Sequence, residues 1–259
     1  MNQELREELR GRALWLVIDR QPRRNALTLE LISGLRAALA RADDDPAVRA
    51  ICIGGAGDKA FCSGMDLAGA ALGDGPLAAH EGRRAYAGLL ADLAKLGKPV
   101  VAAVNGSVMG GGMGLLAACD LAIAADDARF GTPEVDLGIF PYMALAPLVR
   151  CLGRRAALEL FFTGRKIDAA EARSLGLLNQ AVPRVRFAAA VDELLATLCE
   201  KSPAALRLGR RAFYATQDLP YEQQLEAMCA QLSLNAQAED AAEGVMAFLE
   251  KRKPDFKGR

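Results

Sequence analysis

Two glycine-centred turns are the part of the sequence best suited to chemistry: Phe61-Cys62-Ser63-Gly64-Met65-Asp66-Leu67 and Met109-Gly110-Gly111-Gly112-Met113-Gly114. Each follows an apolar, strand-like run and opens toward a helix. A turn of this kind can aim a free backbone NH into a cavity, because glycine tolerates the dihedrals required and adds no side chain to block approach. Two such amides converging on one carbonyl oxygen stabilise the negative charge that develops there, which is the work of an oxyanion hole. Either cluster alone also fits an ordinary tight turn. The repeated order of strand, turn and helix favours the functional reading of the pair.

Other catalytic classes find little material. His80 is the single histidine, so a histidine-rich metal site, a Ser-His-Asp triad and a Cys-His dyad are disfavoured. Six cysteines (Cys52, Cys62, Cys119, Cys151, Cys199 and Cys229) are scattered without a C-x-x-C pair and read as buried thiols. Thirty-two basic and thirty-two acidic residues leave a net charge of zero, which gives no global support for binding nucleic acid or an anionic membrane. The charged N-terminus lacks the apolar region of a signal peptide, and the low-charge run 99–119 is interrupted by glycines as a membrane span is not. A soluble cytoplasmic protein is expected.

The elements that must position the two turns follow from periodicity. Residues 13–19 read as a strand, Thr28 caps a helix that runs to Arg41, and 48–53 form the next strand. Residues 68–80 read as a mobile loop ahead of a helix over 83–96. Strands at 100–104 and 121–124 bracket the second turn. This alternation predicts a parallel sheet with crossover helices through about residue 180. The remainder is helical: Asp168 and Glu171 suggest a capping box, Ser202-Pro203 a helix start, and 221–235 and 238–253 two more helices. At 259 residues the chain can bury a substantial core.

Taken together, these segments resemble the crotonase superfamily, also called the enoyl-CoA hydratase/isomerase family. The resemblance covers nearly the whole length. It is carried by residues 19–27, 59–67, Val104-Asn105-Gly106 with Gly110-Gly111-Gly112, residues 119–124 and 130–138, and 160–165 leading to 169–172. It implies an α/β fold, a spiral of repeated β-β-α turns, with a spiral core over 1–200 holding the acyl-CoA site and a C-terminal helical trimerisation region over 201–259. Homotrimers, often paired into hexamers, are implied as well. The substrate would be an acyl thioester, coenzyme A being part of it, with no separate cofactor.

By position, the resemblance places the two oxyanion amides on Met65 and Gly111 and a catalytic carboxylate on Glu134, within Thr132-Pro133-Glu134. Coenzyme A contacts are implied at Arg24, Ala60, Phe61, Ser63, Asp66 and Leu67, and from a neighbouring subunit at Phe248 and Lys251. The departure is Gly114, where typical hydratases carry a second glutamate. Efficient hydration uses two carboxylates to hold water and deliver a proton, whereas one suffices to move a proton between carbons of the acyl chain. Double-bond isomerisation is therefore slightly favoured over hydration. Hydration with a replacement acid and a non-catalytic acyl-CoA-binding role are the alternatives. Asp136, His80 and Tyr142 lie where a substrate contact is conceivable, but a structural or surface role is expected for each.

Overall fold

In the computed structural model, residues 4–66 and 75–259 are described. Leu67 and most of the expected 68–80 loop lie outside them. The chain opens with a hairpin, β1 (Leu5–Arg10) and β2 (Ala13–Ile18), followed by a 3-10 turn at Gln21–Arg23 and helix α1 (Leu29–Asp44). Thr28 caps α1, its hydroxyl accepting from the Leu31 amide at 3.1 Å.

Three turns of a spiral come next. The first holds β3 (Ala50–Gly55), β4 (Ala60–Cys62) and α2 (Pro76–Lys95); the second holds β5 (Val100–Val104), β6 (Ser107–Met109) and α3 (Gly111–Ala117). The third holds β7 (Leu121–Ala125), β8 (Arg129–Gly131), a 3-10 turn at Pro133–Leu137 and α4 (Tyr142–Thr163). Thereafter come β9 (Lys166–Asp168), α5 (Ala169–Ser174), β10 (Gln180–Val182), and helices α6 (Arg184–Cys199), α7 (Pro203–Thr216), α8 (Tyr221–Asn235) and α9 (Glu239–Leu249).

In each spiral turn the first strand joins one sheet and the second joins another. The larger sheet has the order β1-β2-β3-β5-β7-β10, parallel except for the opening hairpin. The smaller has the order β4-β6-β8-β9, in which β4, β6 and β8 run parallel and β9 antiparallel. Stacking of successive turns thus brings the C-terminal ends of β4, β6 and β8 to one edge. The two glycine turns and the Thr132-Pro133-Glu134 segment leave from that edge.

The larger sheet is covered on both faces, which explains its near-continuous aliphatic strands. One face packs Leu16, Ile18, Ile51, Ile53, Val100 and Ala102 against α1 and its neighbours. The other packs Trp15, Cys52, Val101 and Ile123 against Val191 and Leu195 of α6. Each aliphatic side chain withdrawn completely from water stabilises the fold by about 1.5–3 kcal/mol.

The C-terminal helices are tied to this core through Asp120. Its carboxylate accepts from Arg210 Nε, the Tyr214 hydroxyl and the Val100 amide, each at 2.7 Å. Arg210 also donates to the Leu93 and Leu96 carbonyls. A second hub, Asp240, accepts from the Ser202 hydroxyl at 2.7 Å and from the Lys257 and Gly258 amides at 2.7 and 3.0 Å.

Several expectations need correction. The strand β1 was not anticipated; only Leu5 of its six residues is buried, so it carries almost no alternation. Helix α2 begins at Pro76 rather than near 83, because proline suits the first turn, where its missing NH has no partner to lose. Asp168 caps α5, accepting from the Glu171 amide at 2.9 Å, but the Glu171 carboxylate turns instead to Arg165 at 2.7 Å. The last helix stops at Leu249, four residues earlier than expected. Cys52, Cys62 and Cys119 are buried as read, whereas Cys151 and Cys229 are exposed.

Candidate active site

Met65 owes its free amide to the way its neighbours are paired. Leu27 donates its NH to the Gly64 carbonyl at 2.8 Å and accepts from the Asp66 amide at 2.9 Å, forming an isolated parallel bridge. In a parallel bridge the residue opposite directs its own NH and C=O to the other side. For Met65 that side faces the second glycine turn. Gly64 has φ +96°, a conformation that side chains rarely adopt, and a Cβ there would stand 3.0 Å from the Gly111 nitrogen.

The second amide is free for a different reason. Gly111 is the first residue of α3, and the first amides of a helix have no partner within it. Gly110, with φ 54° and ψ −124°, turns the chain from β6 into the helix and spends its own NH on the Gly131 carbonyl at 2.9 Å. A Cβ on Gly111 would lie 3.5 Å from the Met65 nitrogen, so the two amides are immediate neighbours. Among the described residues neither has an acceptor.

Glu134 completes the group. It sits in the 3-10 turn after β8, and its carboxylate overhangs the second glycine turn: a Cβ on Gly110 would be 3.0 Å from Oε1. Oε2 is buried without a hydrogen-bond partner among the described residues. Burial pushes the Glu134 carboxyl above the ordinary carboxylate range, because the charged form is poorly solvated. A raised carboxyl beside two unpaired amides is suited to taking a proton from a carbon next to a polarised carbonyl and returning it elsewhere.

The place of the second glutamate is filled from two other elements. Tyr86, on α2, is buried, and its hydroxyl donates to the Gly111 carbonyl. A Cβ on Gly114 would stand 2.6 Å from that hydroxyl and 3.2 Å from Ala144 Cα on α4. Asp136 does not enter the space; its carboxylate lies against Gly164, and it is exposed. His80 is exposed on α2, and Tyr142 is 73% exposed, its ring tilted against Phe140 with centroids 5.2 Å apart.

The residues expected to meet coenzyme A are only partly gathered. The Ser63 amide donates to the Arg24 carbonyl at 3.1 Å, which joins the loop after β2 to the first glycine turn and leaves the Arg24 side chain exposed. Arg24 and Asn25 both take positive φ, held there by Asn25, whose buried amide group donates to the Ala56 and Ala60 carbonyls. Ala60 and Phe61 are buried strand residues, so only their main chain can face a ligand. Asp66 is engaged by Arg20 at 3.0 Å, and burial opposes the Arg20 charge less than Glu4 and Asp66 support it. Phe248 and Lys251 are at the end of α9; Phe248 lines an apolar groove of about 380 Å³ with Val245 and Phe256.

Arg20, Asn25, Asn105 and Tyr86 were not singled out as separate contributors by sequence. The two asparagines fall in the segments that carry the resemblance, and Asn105 bridges the Gly55 amide and the Gly57 carbonyl. Tyr86 has no motif around it. Only its volume, set against the missing side chain of Gly114, could have marked it.

Comparison with known proteins points to one family. A sequence profile described as enoyl-CoA hydratase/isomerase matches residues 13–259. The chain is 36% identical over 264 residues to carnitinyl-CoA dehydratase of Proteus mirabilis, and 34% identical to that of Escherichia coli strain K12, covering all of each. Among solved structures, an enoyl-CoA hydratase from Bacillus anthracis superposes with a TM-score of 0.95 at 31% identity, over 99% of this chain and 100% of that one. One from Mycobacterium smegmatis gives 0.94 at 30%, over 98% and 99%.

Proposed function

Because the chain belongs to the enoyl-CoA hydratase/isomerase family, we propose that it moves a proton along the acyl chain of a coenzyme A thioester, with double-bond isomerisation favoured over hydration. The thioester oxygen accepts from the Met65 and Gly111 amides, each oriented donor contributing about 3 kcal/mol to lowering the barrier. The ionised Glu134 carboxylate takes a proton from C2 of a 3-enoyl thioester, and the electron pair delocalises onto the held oxygen. Glu134, now protonated, returns the proton to C4, leaving the double bond between C2 and C3. Atoms and charge balance without a cofactor.

The observation that carries this reading is a single carboxylate among the described residues: Glu134 overhangs the amide pair, while the room beside Gly114 is closed by Tyr86 and Ala144. A second reading is dehydration and its reverse, supported by the relatives named carnitinyl-CoA dehydratase. It requires an acid from elsewhere to activate water. A non-catalytic acyl-CoA-binding role is the third, and it leaves the raised Glu134 carboxyl without a task.

Feeding 2-enoyl and 3-enoyl thioesters to the wild type and to Glu134→Gln, with water addition and bond migration followed separately, tests the reading. Migration that depends on Glu134 is expected. Rapid hydration by the wild type overturns the preference, and equal turnover by both proteins overturns the role of Glu134.

A trimer or hexamer formed through the region 201–259 belongs to the same proposal. Its support is the row of exposed apolar residues there, including Leu225, Leu232, Val245, Phe248 and Leu249. Coenzyme A contacts at Arg24, Ala60, Phe61, Ser63, Asp66 and Leu67, with Phe248 and Lys251 supplied by a neighbour, are part of the same proposal and rest on the family resemblance. No helix among the described residues is long and apolar enough to cross a membrane, which is compatible with the expected cytoplasmic location.

A further inference from the structure

We propose that Tyr86 is a positioning and specificity-determining residue: its phenol fills the room that a side chain at 114 would need, and it fixes the peptide that follows Gly111. The inference rests on the acyl-CoA reading above and deepens it.

The hydroxyl sits inside the first turn of α3. It donates to the Gly111 carbonyl. A phenol at this point braces the turn whose first amide is one of the two oxyanion donors. Tyr86 is 2% exposed, so its ring has nowhere to swing. Burial pushes its hydroxyl far above the ordinary range, so it acts as a donor and not as a base.

Exclusion follows from the distances. A Cβ on Gly114 would meet the hydroxyl at 2.6 Å, and Ala144 closes the other side at 3.2 Å from Cα and 3.5 Å from Cβ. The phenol and any side chain at 114 therefore compete for one volume. This chain keeps the phenol, and with it a site that has, among the described residues, one carboxylate and no bay at position 114 for a second acid with its water. Glycine at 114 is the counterpart of tyrosine at 86.

The test compares wild type, Tyr86→Phe, Gly114→Ala, Gly114→Glu, Tyr86→Ala and the doubles Tyr86→Ala/Gly114→Ala and Tyr86→Ala/Gly114→Glu. Removing the hydroxyl alone is expected to lower kcat for bond migration about tenfold with KM unchanged, the effect of one lost hydrogen bond. Gly114→Ala should lower Tm in the wild type and leave it unchanged or raise it beside Tyr86→Ala, a non-additivity that reads the competition without any activity assay. Tyr86→Ala/Gly114→Glu should raise the ratio of hydration to migration at least about tenfold over wild type and over each single variant.

Additive Tm changes overturn the shared volume. An active wild type whose product ratio is the same in every variant, or a Tyr86→Phe protein with unchanged kcat, overturns the role of Tyr86 alone. A wild type inert toward both thioesters overturns the acyl-CoA reading itself, and this inference with it.

Discussion

At Asp120, the carboxylate oxygens accept from a guanidinium, a phenol and a backbone amide, and the guanidinium is in turn satisfied by two carbonyls. At Glu134, at the edge of the smaller sheet, Oε2 is buried with no donor, and two backbone amides nearby have no acceptor among the described residues. Both regions withdraw polar groups from water, which is costly unless each finds a partner. The clasp meets that cost within the chain and so holds α7 to the core. The site leaves it unmet, and an incoming thioester carbonyl has the acceptor oxygen that the amides lack. Among the described residues Trp15 Nε1 and Asn235 Oδ1 are also buried without a partner, but only beside Glu134 do unpaired amides and an unpaired carboxylate oxygen stand together.

Substitutions in the two regions should therefore separate activity from stability. The largest effect is expected for Glu134→Gln, which keeps shape and removes the proton carrier: kcat should fall by about 10²- to 10⁴-fold, with an unchanged melting curve. Loss of stability in place of activity would assign Glu134 to the structural group.

Asp120→Ala should do the reverse. Leaving Arg210 buried without its partner is expected to cost about 3–5 kcal/mol of unfolding free energy, read from the urea midpoint, while kcat per folded molecule is retained. Gly64→Ala probes the boundary between the two behaviours. Its Cβ would crowd the Gly111 nitrogen at 3.0 Å and its φ would be strained, so kcat should drop by about 10²- to 10³-fold together with a lowered Tm.

Acidity should separate the regions too. Glu134 is held above the ordinary carboxylate range by burial, and in the proposed reaction its ionised form takes the proton. Hence kcat/KM should fall as pH drops through that raised value, tenfold per unit beneath it, and Glu134→Gln should lack this limb. Asp240 shifts the other way. Burial opposes its charge, but the Ser202 hydroxyl and the Gly258, Lys257 and Ala204 amides outweigh it and hold the carboxyl low. Its contribution to stability is fully present above the unfolded value of about 3.9 and is lost as pH falls through the folded value. A pH interval in which the protein is folded and inactive is expected, and parallel activity and circular dichroism titrations measure it.

Much of this was legible in the sequence because it is carried by backbone. Gly64 and Gly110 mark positive φ, aliphatic runs mark the strands of a sheet covered on both faces, and Thr28 and Asp168 mark helix starts through their caps. These signals are local. The strand Leu5–Arg10 was missed because it buries one residue and offers no periodicity. Tyr86 was missed because its significance depends on Gly114, twenty-eight positions away, and nothing local records that two residues on different helices share one volume. The bond between Arg210 and Asp120 escaped notice for the same reason.

Both proposed carbonyl-polarising donors are main-chain groups, set by strand pairing at Leu27 and by the start of α3. Codon changes at 86, 114 or 134 can alter the room beside the amides and the carboxylate above them while leaving that electrophilic frame standing. Descent with a changed reaction then needs few steps, since an altered offspring starts with thioester activation already inherited.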